Sequence, residues 1–188
     1  MDAVSTAQRM TADEFLALAP DRRWRELIDG EVVVNEPPWM HNRRQHGIGF
    51  ALESWIRGGP ARGAAGTPLD VALDERNVFA PDLVWYRDGR VPRLTDLAPY
   101  PIPDLAAEIR SPTTWRYDIG VKKASYERHG LAELWLVDTA ASVVLVFRRS
   151  TPEAPDFDVS EELDTQATLT SPLLPGFALP VSEIFTTD

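Results

Sequence analysis

Residues 81–86 and 105–109 decide the fold that the sequence predicts, and they read Pro81-Asp82-Leu83-Val84-Trp85-Tyr86 and Leu105-Ala106-Ala107-Glu108-Ile109. Each is a short apolar run of the kind that forms a buried strand, and each carries one acid. Pro81 fixes the backbone where the chain enters the first strand, so that Asp82 points to the opposite side from Leu83. Glu108 lies among apolar residues, where an unpaired carboxylate is costly to bury, and it therefore needs a partner.

The partner of Glu108 is open to two interpretations. The structural one is a salt bridge to Arg110 or Arg116, which lie close in sequence. The functional one is a metal ion shared with Asp82, because hard divalent cations prefer clustered carboxylate oxygens. A Pro-Asp pair is also common in turns, so Asp82 by itself does not decide between the two.

A lysine on the next predicted helix is the third candidate. The chain has only two lysines among its 19 basic residues, Lys122 and Lys123. On a helix over 118–129, Asp118, Lys122 and Tyr126 are spaced four apart and share one face, whereas Lys123 lies on a neighbouring stripe. Lys122 is therefore the better functional candidate. The structural alternative is an ordinary ion pair between Asp118 and Lys122, which would contribute little to stability.

The remaining local patterns describe a single α/β domain over residues 1–188, with a mixed central sheet flanked by helices. The first third is predicted to contain a helix capped by Thr11 and Glu14, a hairpin around Asp29-Gly30 and a helix over 41–58. Strands over 67–73 and 78–86 follow, then a proline-containing loop over 87–103 and a strand over 105–109. The rest is predicted to contain a helix over 118–129 ended by Gly130, strands over 134–137 and 143–147, an acidic loop over 151–164, and a closing segment over 173–185.

Composition and charge limit the classes of function. The net charge is −10, the wrong sign for a protein that simply coats nucleic acid. Residues 151–188 carry eight acids and no lysine or arginine, so the first 150 residues are nearly neutral. The absence of cysteine excludes disulfides and thiolate sites. No apolar run approaches membrane-spanning length, so we expect a cytoplasmic protein without a membrane partner.

Several motifs, in order along the chain, resemble the Uma-two family of putative restriction endonucleases. They are Trp24-Arg25-Glu26-Leu27-Ile28-Asp29-Gly30-Glu31, Pro81-Asp82-Leu83, Glu108 followed by Ser111-Pro112-Thr113, Asp118 with Lys122 and Tyr126-Glu127-Arg128, Glu133-Leu134-Trp135-Leu136-Val137-Asp138, Leu169-Thr170-Ser171-Pro172-Leu173-Leu174-Pro175-Gly176-Phe177, and Glu183-Ile184-Phe185. The resemblance implies the PD-(D/E)XK nuclease fold. It further implies that Asp82, Glu108 and the backbone carbonyl of Ile109 bind Mg²⁺ or Mn²⁺, and that Lys122 is the catalytic lysine, moved from the strand to the helix.

The sequence departs from the family pattern at two places. Arg110 stands where the parent motif has its lysine and where this family usually has an apolar residue, so it either substitutes as a cation or pairs with Glu108. A histidine often opens the second helix of the family, and His41 and His46 are both near that position. The spacing does not decide between them.

Further accessory roles are assigned on the same basis. Glu26 or Glu31 of the hairpin would add a metal ligand through water, His46 or His41 would contact phosphate, and Lys123 would contribute to DNA binding.

The sequence thus predicts a magnesium-dependent phosphodiesterase that acts on DNA, an endodeoxyribonuclease. The alternative is a catalytically silent module of the same fold, which the near-neutral core and acidic tail favour, because phosphate contacts are the main source of DNA affinity. A homodimer with Trp135 and the strand over 143–147 at its interface is compatible with both. We identify no base-reading element.

Overall fold

The computed structural model describes residues 9–19 and 24–186. The helices are α1 (Ala12–Leu16), α2 (Trp39–Arg57), α3 (Trp115–Tyr117), α4 (Lys123–Arg128) and α5 (Val181–Phe185), and a π-helical turn, Asp118–Lys122, joins α3 to α4. The strands are β1 (Trp24–Ile28), β2 (Glu31–Asn35), β3 (Ala64–Gly66), β4 (Val71–Asp74), β5 (Asn77–Phe79), β6 (Leu83–Tyr86), β7 (Leu105–Ile109), β8 (Glu133–Asp138), β9 (Val143–Arg148), β10 (Val159–Leu163), β11 (Thr168–Leu169) and β12 (Leu179–Pro180).

Six strands form the main sheet, in the order β10-β9-β8-β7-β6-β3. Strands β7 and β8 are parallel and the other neighbours are antiparallel. The side chains of β7 alternate between two buried layers: Leu105, Ala107 and Ile109 pack with α2 and α5 on one face, and Ala106 packs with α4 on the other. Because the side chains of a strand alternate, Glu108 faces the layer that contains α4.

A second sheet covers this layer. It has the order β2-β1-β5-β4, and Ile28, Val33 and Phe79 of its strands pack with Tyr126 of α4. The predicted hairpin is confirmed, with Asp29 and Gly30 both at positive φ (48° and 78°), as a two-residue turn of this kind requires. The hairpin therefore carries Glu26 of β1 over the face of the main sheet that holds Glu108.

The strand predicted over 78–86 is divided between the two sheets. Strand β5 pairs with β1 and β4, whereas β6 pairs with β3 and β7. The chain crosses from one sheet to the other at Ala80-Pro81-Asp82, where Pro81 has no backbone N–H to donate to a ladder. The strand predicted over 67–73 is likewise wrong in its bounds, because β4 begins only at Val71 and β3 lies before residue 67.

The predicted helices are largely confirmed. Thr11 and Glu14 form the capping box of α1, and the predicted second helix is α2, which is capped by Gly58. The helix predicted over 118–129 begins earlier, at Trp115, and contains the π-helical turn. It ends as predicted near Gly130, whose positive φ of 85° terminates the helix.

The C-terminal part differs from prediction in two respects. The segment 151–164, expected to be a loop, includes strand β10, which pairs with β9 along its whole length. Trp135 is 0% exposed and its ring stacks on Phe177 at 5.8 Å, so the proposed dimer surface of Trp135 and β9 is wrong. The closing segment is anchored as predicted, with Val181 and Ile184 buried. None of the helices in the described ranges is long and apolar enough to cross a membrane.

Candidate active site

Asp82 lies at the entrance to β6 and is bonded to the end of β7. It comes directly before Leu83, the first residue of β6, and Leu83 pairs with Ala107 of β7. The N–H of Ile109, the residue after Glu108, donates a hydrogen bond to Asp82 Oδ2 at 2.7 Å. The backbone at the end of β7 therefore holds the Asp82 carboxylate beside the residue that follows Glu108.

Helix α2 supplies two further contacts to Asp82. His41 Nε2 lies 3.1 Å from Asp82 Oδ2, and Gln45 Nε2 donates to the Asp82 carbonyl at 2.6 Å. His41 and Gln45 are buried on the same helical stripe as Ile48 and Leu52. Two polar residues on an otherwise apolar stripe at i, i+4 spacing are a sequence signal for a buried polar contact, and this signal was available before the structure.

Lys122 is the centre of a buried ion cluster. Its Nζ lies 2.8 Å from Glu26 Oε1, 2.8 Å from Glu108 Oε1 and 3.1 Å from Asp118 Oδ1, and the side chain is only 1% exposed. The face predicted for Asp118, Lys122 and Tyr126 is confirmed, because all three are buried together. The ion pair predicted as the structural alternative, between Asp118 and Lys122, is present as one of these three contacts.

The π-helical turn is held in place from its N-terminal side. Thr114 Oγ1 donates to Asp118 Oδ2 at 3.1 Å, and the hydroxyl groups of Ser111 and Thr114 lie 2.7 Å apart. A π-helical turn adds a residue to the helix and frequently marks a functional site. Here it places Asp118 and Lys122 side by side against the sheet.

The carboxylates around Lys122 have their own donors. The N–H of Ala80 donates to Glu26 Oε1 at 2.8 Å, and the Tyr126 hydroxyl donates to Glu108 Oε1 at 2.8 Å. The Phe79 ring lies against this group, edge-on to Tyr126 at 5.2 Å between centroids and 5.5 Å from Lys122 Nζ. Apolar and aromatic atoms thus enclose the charged cluster on the side of the smaller sheet.

Burial and crowding shift the protonation of the cluster. Burial, together with the neighbouring carboxylates and against the attraction of Lys122, raises the pKa of Glu108 well above its usual range. Burial also raises the pKa of Glu26 and of Asp118. Burial would lower the pKa of Lys122, but the three carboxylates outweigh it and raise that pKa well above its usual range. Lys122 is therefore firmly protonated, and one ammonium faces three carboxylates.

Three predicted accessory residues, Arg110, Lys123 and Glu31, lie away from this cluster, and so does Arg116, a candidate salt-bridge partner of Glu108. Arg110 pairs with Asp138 at 2.8 Å, so a salt bridge from Arg110 to Glu108 is wrong. Arg116 donates instead to the Tyr117 hydroxyl at 2.8 Å. Lys123 Nζ lies 4.5 Å above the Phe147 ring, and Glu31 is exposed at the turn of the hairpin.

The structure separates the remaining alternatives. Between the two hairpin acids, Glu26 reaches the cluster and Glu31 does not. Between the two histidines, His41 contacts Asp82, whereas His46 is exposed on the same helix. Although burial disfavours its charged form, the hydrogen bond and charge of Asp82 raise the pKa of His41.

A cleft of about 390 Å³ opens beside Asp82. Glu26, His41 and Asp82 form its inner end, and Trp24 and Trp39 lie on its walls. The rest of the lining is Asn35, Pro37, Asn42, Gln45, His46, Thr67, Pro68 and Ala80. Asp82 thus borders the same cleft as two indole rings.

The donor set fits a divalent cation of the magnesium kind. Within the described ranges no three Asp, Glu or His side chains are arranged as a metal site. Mg²⁺, however, is commonly bound by one or two carboxylates with the rest of its shell from water and substrate. Asp82 and Glu108 each keep one carboxylate oxygen, Oδ1 and Oε2, that accepts no hydrogen bond from residues 9–19 or 24–186. The excess of buried carboxylates over ammonium also favours a cation.

Comparisons with known proteins agree with this architecture. Residues 12–182 match the sequence model of the Uma2 family, described as "Putative restriction endonuclease". The fold is similar to the crystal structure of a putative nuclease belonging to DUF820 from Anabaena variabilis ATCC 29413, with a TM-score of 0.79, 22% sequence identity, and coverage of 94% of this chain and 97% of that chain. No curated protein matches the sequence. The predicted fold, a mixed sheet flanked by helices, is confirmed.

Proposed function

The chain belongs to the Uma2 family of putative restriction endonucleases, and on this premise we propose that it is a metal-dependent phosphodiesterase that hydrolyses DNA. The observations that carry the proposal are the contact of Lys122 Nζ with Glu108 Oε1 at 2.8 Å and the hydrogen bond from the N–H of Ile109, the residue after Glu108, to Asp82 Oδ2 at 2.7 Å. Family and fold support a nuclease. The requirement for Mg²⁺ or Mn²⁺ and the DNA substrate are parts of our proposal.

Asp82, Glu108 and the carbonyl oxygen of Ile109 would hold the cation. Support for Ile109 comes from strand geometry, because the N–H and C=O groups of one residue in an antiparallel pair face the same neighbouring strand. The N–H of Ile109 donates to Asp82, so we infer that its carbonyl group is directed to the same side. When bound, the cation would lower the pKa of a water molecule and neutralise charge on the phosphate.

The neighbouring groups orient the carboxylates of Asp82 and Glu108 and influence their ionisation. The backbone N–H of Ile109 and the ring Nε2 of His41 both contact Asp82 Oδ2, so Oδ1 is left for a ligand. Tyr126 and Lys122 hold Glu108 Oε1 in the same way. The protonated Lys122 opposes the tendency of burial to neutralise Glu108, and it places positive charge near the position at which negative charge develops on the phosphate.

A second candidate function, a nuclease-fold module that binds without cleaving, is favoured by the enclosure of Lys122. Its ammonium is fully engaged by three carboxylates and is 1% exposed. A catalytic lysine that contacts phosphate needs an ammonium N–H that is directed at the substrate and is not bonded to a carboxylate. In a silent module, the same cluster would serve only to join the hairpin, the sheet and the helix.

Metal titration followed by a cleavage assay separates the two functions. An active enzyme should bind Mn²⁺, show a higher melting temperature in its presence, and nick plasmid or single-stranded DNA. Asp82→Asn should remove the binding, the thermal shift and the nicking together, while Asp88→Asn, an exposed acid on a loop, should change none of them. If the parent protein neither binds Mn²⁺ nor cuts, the nuclease proposal is wrong and the silent module stands.

A further inference from the structure

Two exposed tryptophans line the cleft that leads to Asp82. Trp39, the first residue of α2, is 77% exposed, and Trp24, the first residue of β1, is 51% exposed. Large aromatic side chains usually bury most of their surface, and exposed ones that share a concave site are typical of ligand contacts. Both indoles are thus available to a flat ligand.

The aromatic walls are continuous with the proposed catalytic centre. Glu26, His41 and Asp82 line the same cleft as Trp24 and Trp39. A molecule that occupies the cleft therefore lies beside Asp82. The cleft of about 390 Å³ is of the size that holds a small ligand, such as one nucleotide.

The charge of the residues that line the cleft determines which contacts can bind such a ligand. Among the lining residues that the structure describes there is no lysine or arginine, and two of them, Glu26 and Asp82, are acids. Phosphate contacts, the usual source of affinity for duplex DNA, are therefore weak here. Stacking of bases on aromatic rings is the other source of affinity for nucleic acid, and it needs no basic side chain.

Two polar atoms of the lining lack partners. Asn35 Oδ1 and His41 Nδ1 are buried and have no hydrogen-bond partner among the residues that the structure describes. A buried polar atom without a partner is unfavourable, and a ligand that supplies one recovers this free energy. The edge of a nucleic-acid base carries both donors and acceptors of the kind that an asparagine amide recognises.

We propose that this cleft binds an unpaired DNA base stacked on Trp39 and Trp24, so that the substrate is single-stranded or locally unpaired DNA. In an intact duplex the faces of the bases are covered by their neighbours, and only an unstacked nucleotide can present a face to an indole. The inference rests on the proposed function, because it names the substrate class of the same site.

Binding of fluorescein-labelled oligonucleotides tests the proposal. Anisotropy is measured in EDTA, so that no strand is cut, with oligo(dT), with oligo(rU) and with a duplex that contains the same oligo(dT). Oligo(dT) should bind more tightly than the duplex and should quench tryptophan fluorescence. Trp39→Ala and Trp24→Ala should each weaken binding of oligo(dT) by roughly tenfold or more, which is the usual effect of removing one stacking ring.

Phe50→Ala is the matched control. Phe50 lies on α2 like Trp39, is similarly exposed at 75%, and does not line this cleft. It should bind like the parent, and thermal melts should show all three variants folded. Tighter binding of the duplex, unchanged binding by Trp39→Ala, or an equal loss in Phe50→Ala would each overturn the proposal, and a preference for oligo(rU) would overturn the assignment of DNA.

The same variants separate this proposal from the nuclease function. If the parent cuts DNA in Mn²⁺ and Trp39→Ala binds and cuts like the parent, the cleft proposal fails and the nuclease stands. If oligo(dT) binding depends on Trp39 but no DNA is cut, the cleft proposal stands and the nuclease fails.

Discussion

Lys122 Nζ lies 2.8 Å from Glu108 Oε1, and this contact joins the π-helical turn to strand β7 in the middle of the main sheet. Both side chains are almost completely buried. The cluster is completed by Glu26 from the smaller sheet and by Asp118. Lys122 therefore holds three parts of the fold together, and any substitution of it will affect stability as well as chemistry.

Lys122→Ala should abolish cleavage and destabilise the protein by about 3–5 kcal/mol, because it leaves three buried carboxylates without their cation. The sequence-based alternative, an ordinary Asp118–Lys122 ion pair that contributes little to stability, does not describe a lysine that is 1% exposed. Thermal and urea melts, together with a nicking assay in Mn²⁺, measure both effects.

Two variants control for this result. Lys122→Arg keeps the charge but should not restore cleavage, because a planar guanidinium cannot replace a compact ammonium among three carboxylates. Lys123→Ala removes a lysine that lies over the Phe147 ring, and should cost only about 0.5–1 kcal/mol. A Lys122→Ala protein that cuts like the parent would show that Lys122 is not the working cation.

His41→Ala should lower the cleavage rate or the affinity for Mn²⁺ by about 10–100-fold, the usual effect of removing a partner of a metal ligand. The reason is the loss of the contact between His41 Nε2 and Asp82 Oδ2, which orients the carboxylate. His46→Ala is the control, because His46 lines the same cleft but is exposed. Equal effects of the two variants on cleavage and on metal titration would refute a specific role of His41.

Glu133 provides a pH-dependent prediction at a distance from the active site. It is buried at the start of β8, where it accepts hydrogen bonds from Trp135 Nε1 at 2.6 Å and Ser171 Oγ at 2.7 Å. Burial outweighs these bonds and raises the pKa of Glu133 above its model-peptide value of 4.5. The ionised form is thus disfavoured in the folded state, and this penalty is absent below pH 4.5 and grows as the pH rises through the raised pKa.

Glu133→Gln cannot ionise, so its stability relative to the parent should improve between a pH below 4.5 and neutral pH. The measured quantity is the change with pH in the difference between the two unfolding free energies, which is insensitive to the constant cost of placing an amide there. Glu162→Gln, on the exposed side of β10, is the control. A difference that stays constant, or that moves in favour of the parent, contradicts a raised pKa.

Neutralising the acidic segment near the C-terminus should strengthen DNA binding at low salt. A triple variant with Glu153→Gln, Asp156→Asn and Glu162→Gln removes exposed charges that repel phosphate. Asp158 and Glu161 are left unchanged because they bond Ser150 and Arg148. The gain should fade as salt is raised, because screening shortens the range of surface charges. Equal affinities of parent and variant at low salt would show that the segment does not influence binding.

The sequence by itself determined the features that depend on local periodicity. The capping box at Thr11, the hairpin at Asp29-Gly30 and the shared face of Asp118, Lys122 and Tyr126 are all present. Glu108 lies on a buried strand as expected, whereas Asp82 lies just before its strand, in the connection between the two sheets. Such features are predictable because neighbouring residues in a helix or strand determine which side chains share a face.

Only the tertiary structure decided which partners these side chains meet. The burial of Lys122, the choice of Glu26 over Glu31, and the choice of His41 over His46 depend on how the smaller sheet and α2 pack on the main sheet. The burial of Trp135 depends on the position of Phe177 in the C-terminal segment. The physical reason is that a buried carboxylate or aromatic ring is stabilised by the groups that it contacts in the folded structure. Sequence spacing constrains that group only within one element, not between elements that are distant along the chain.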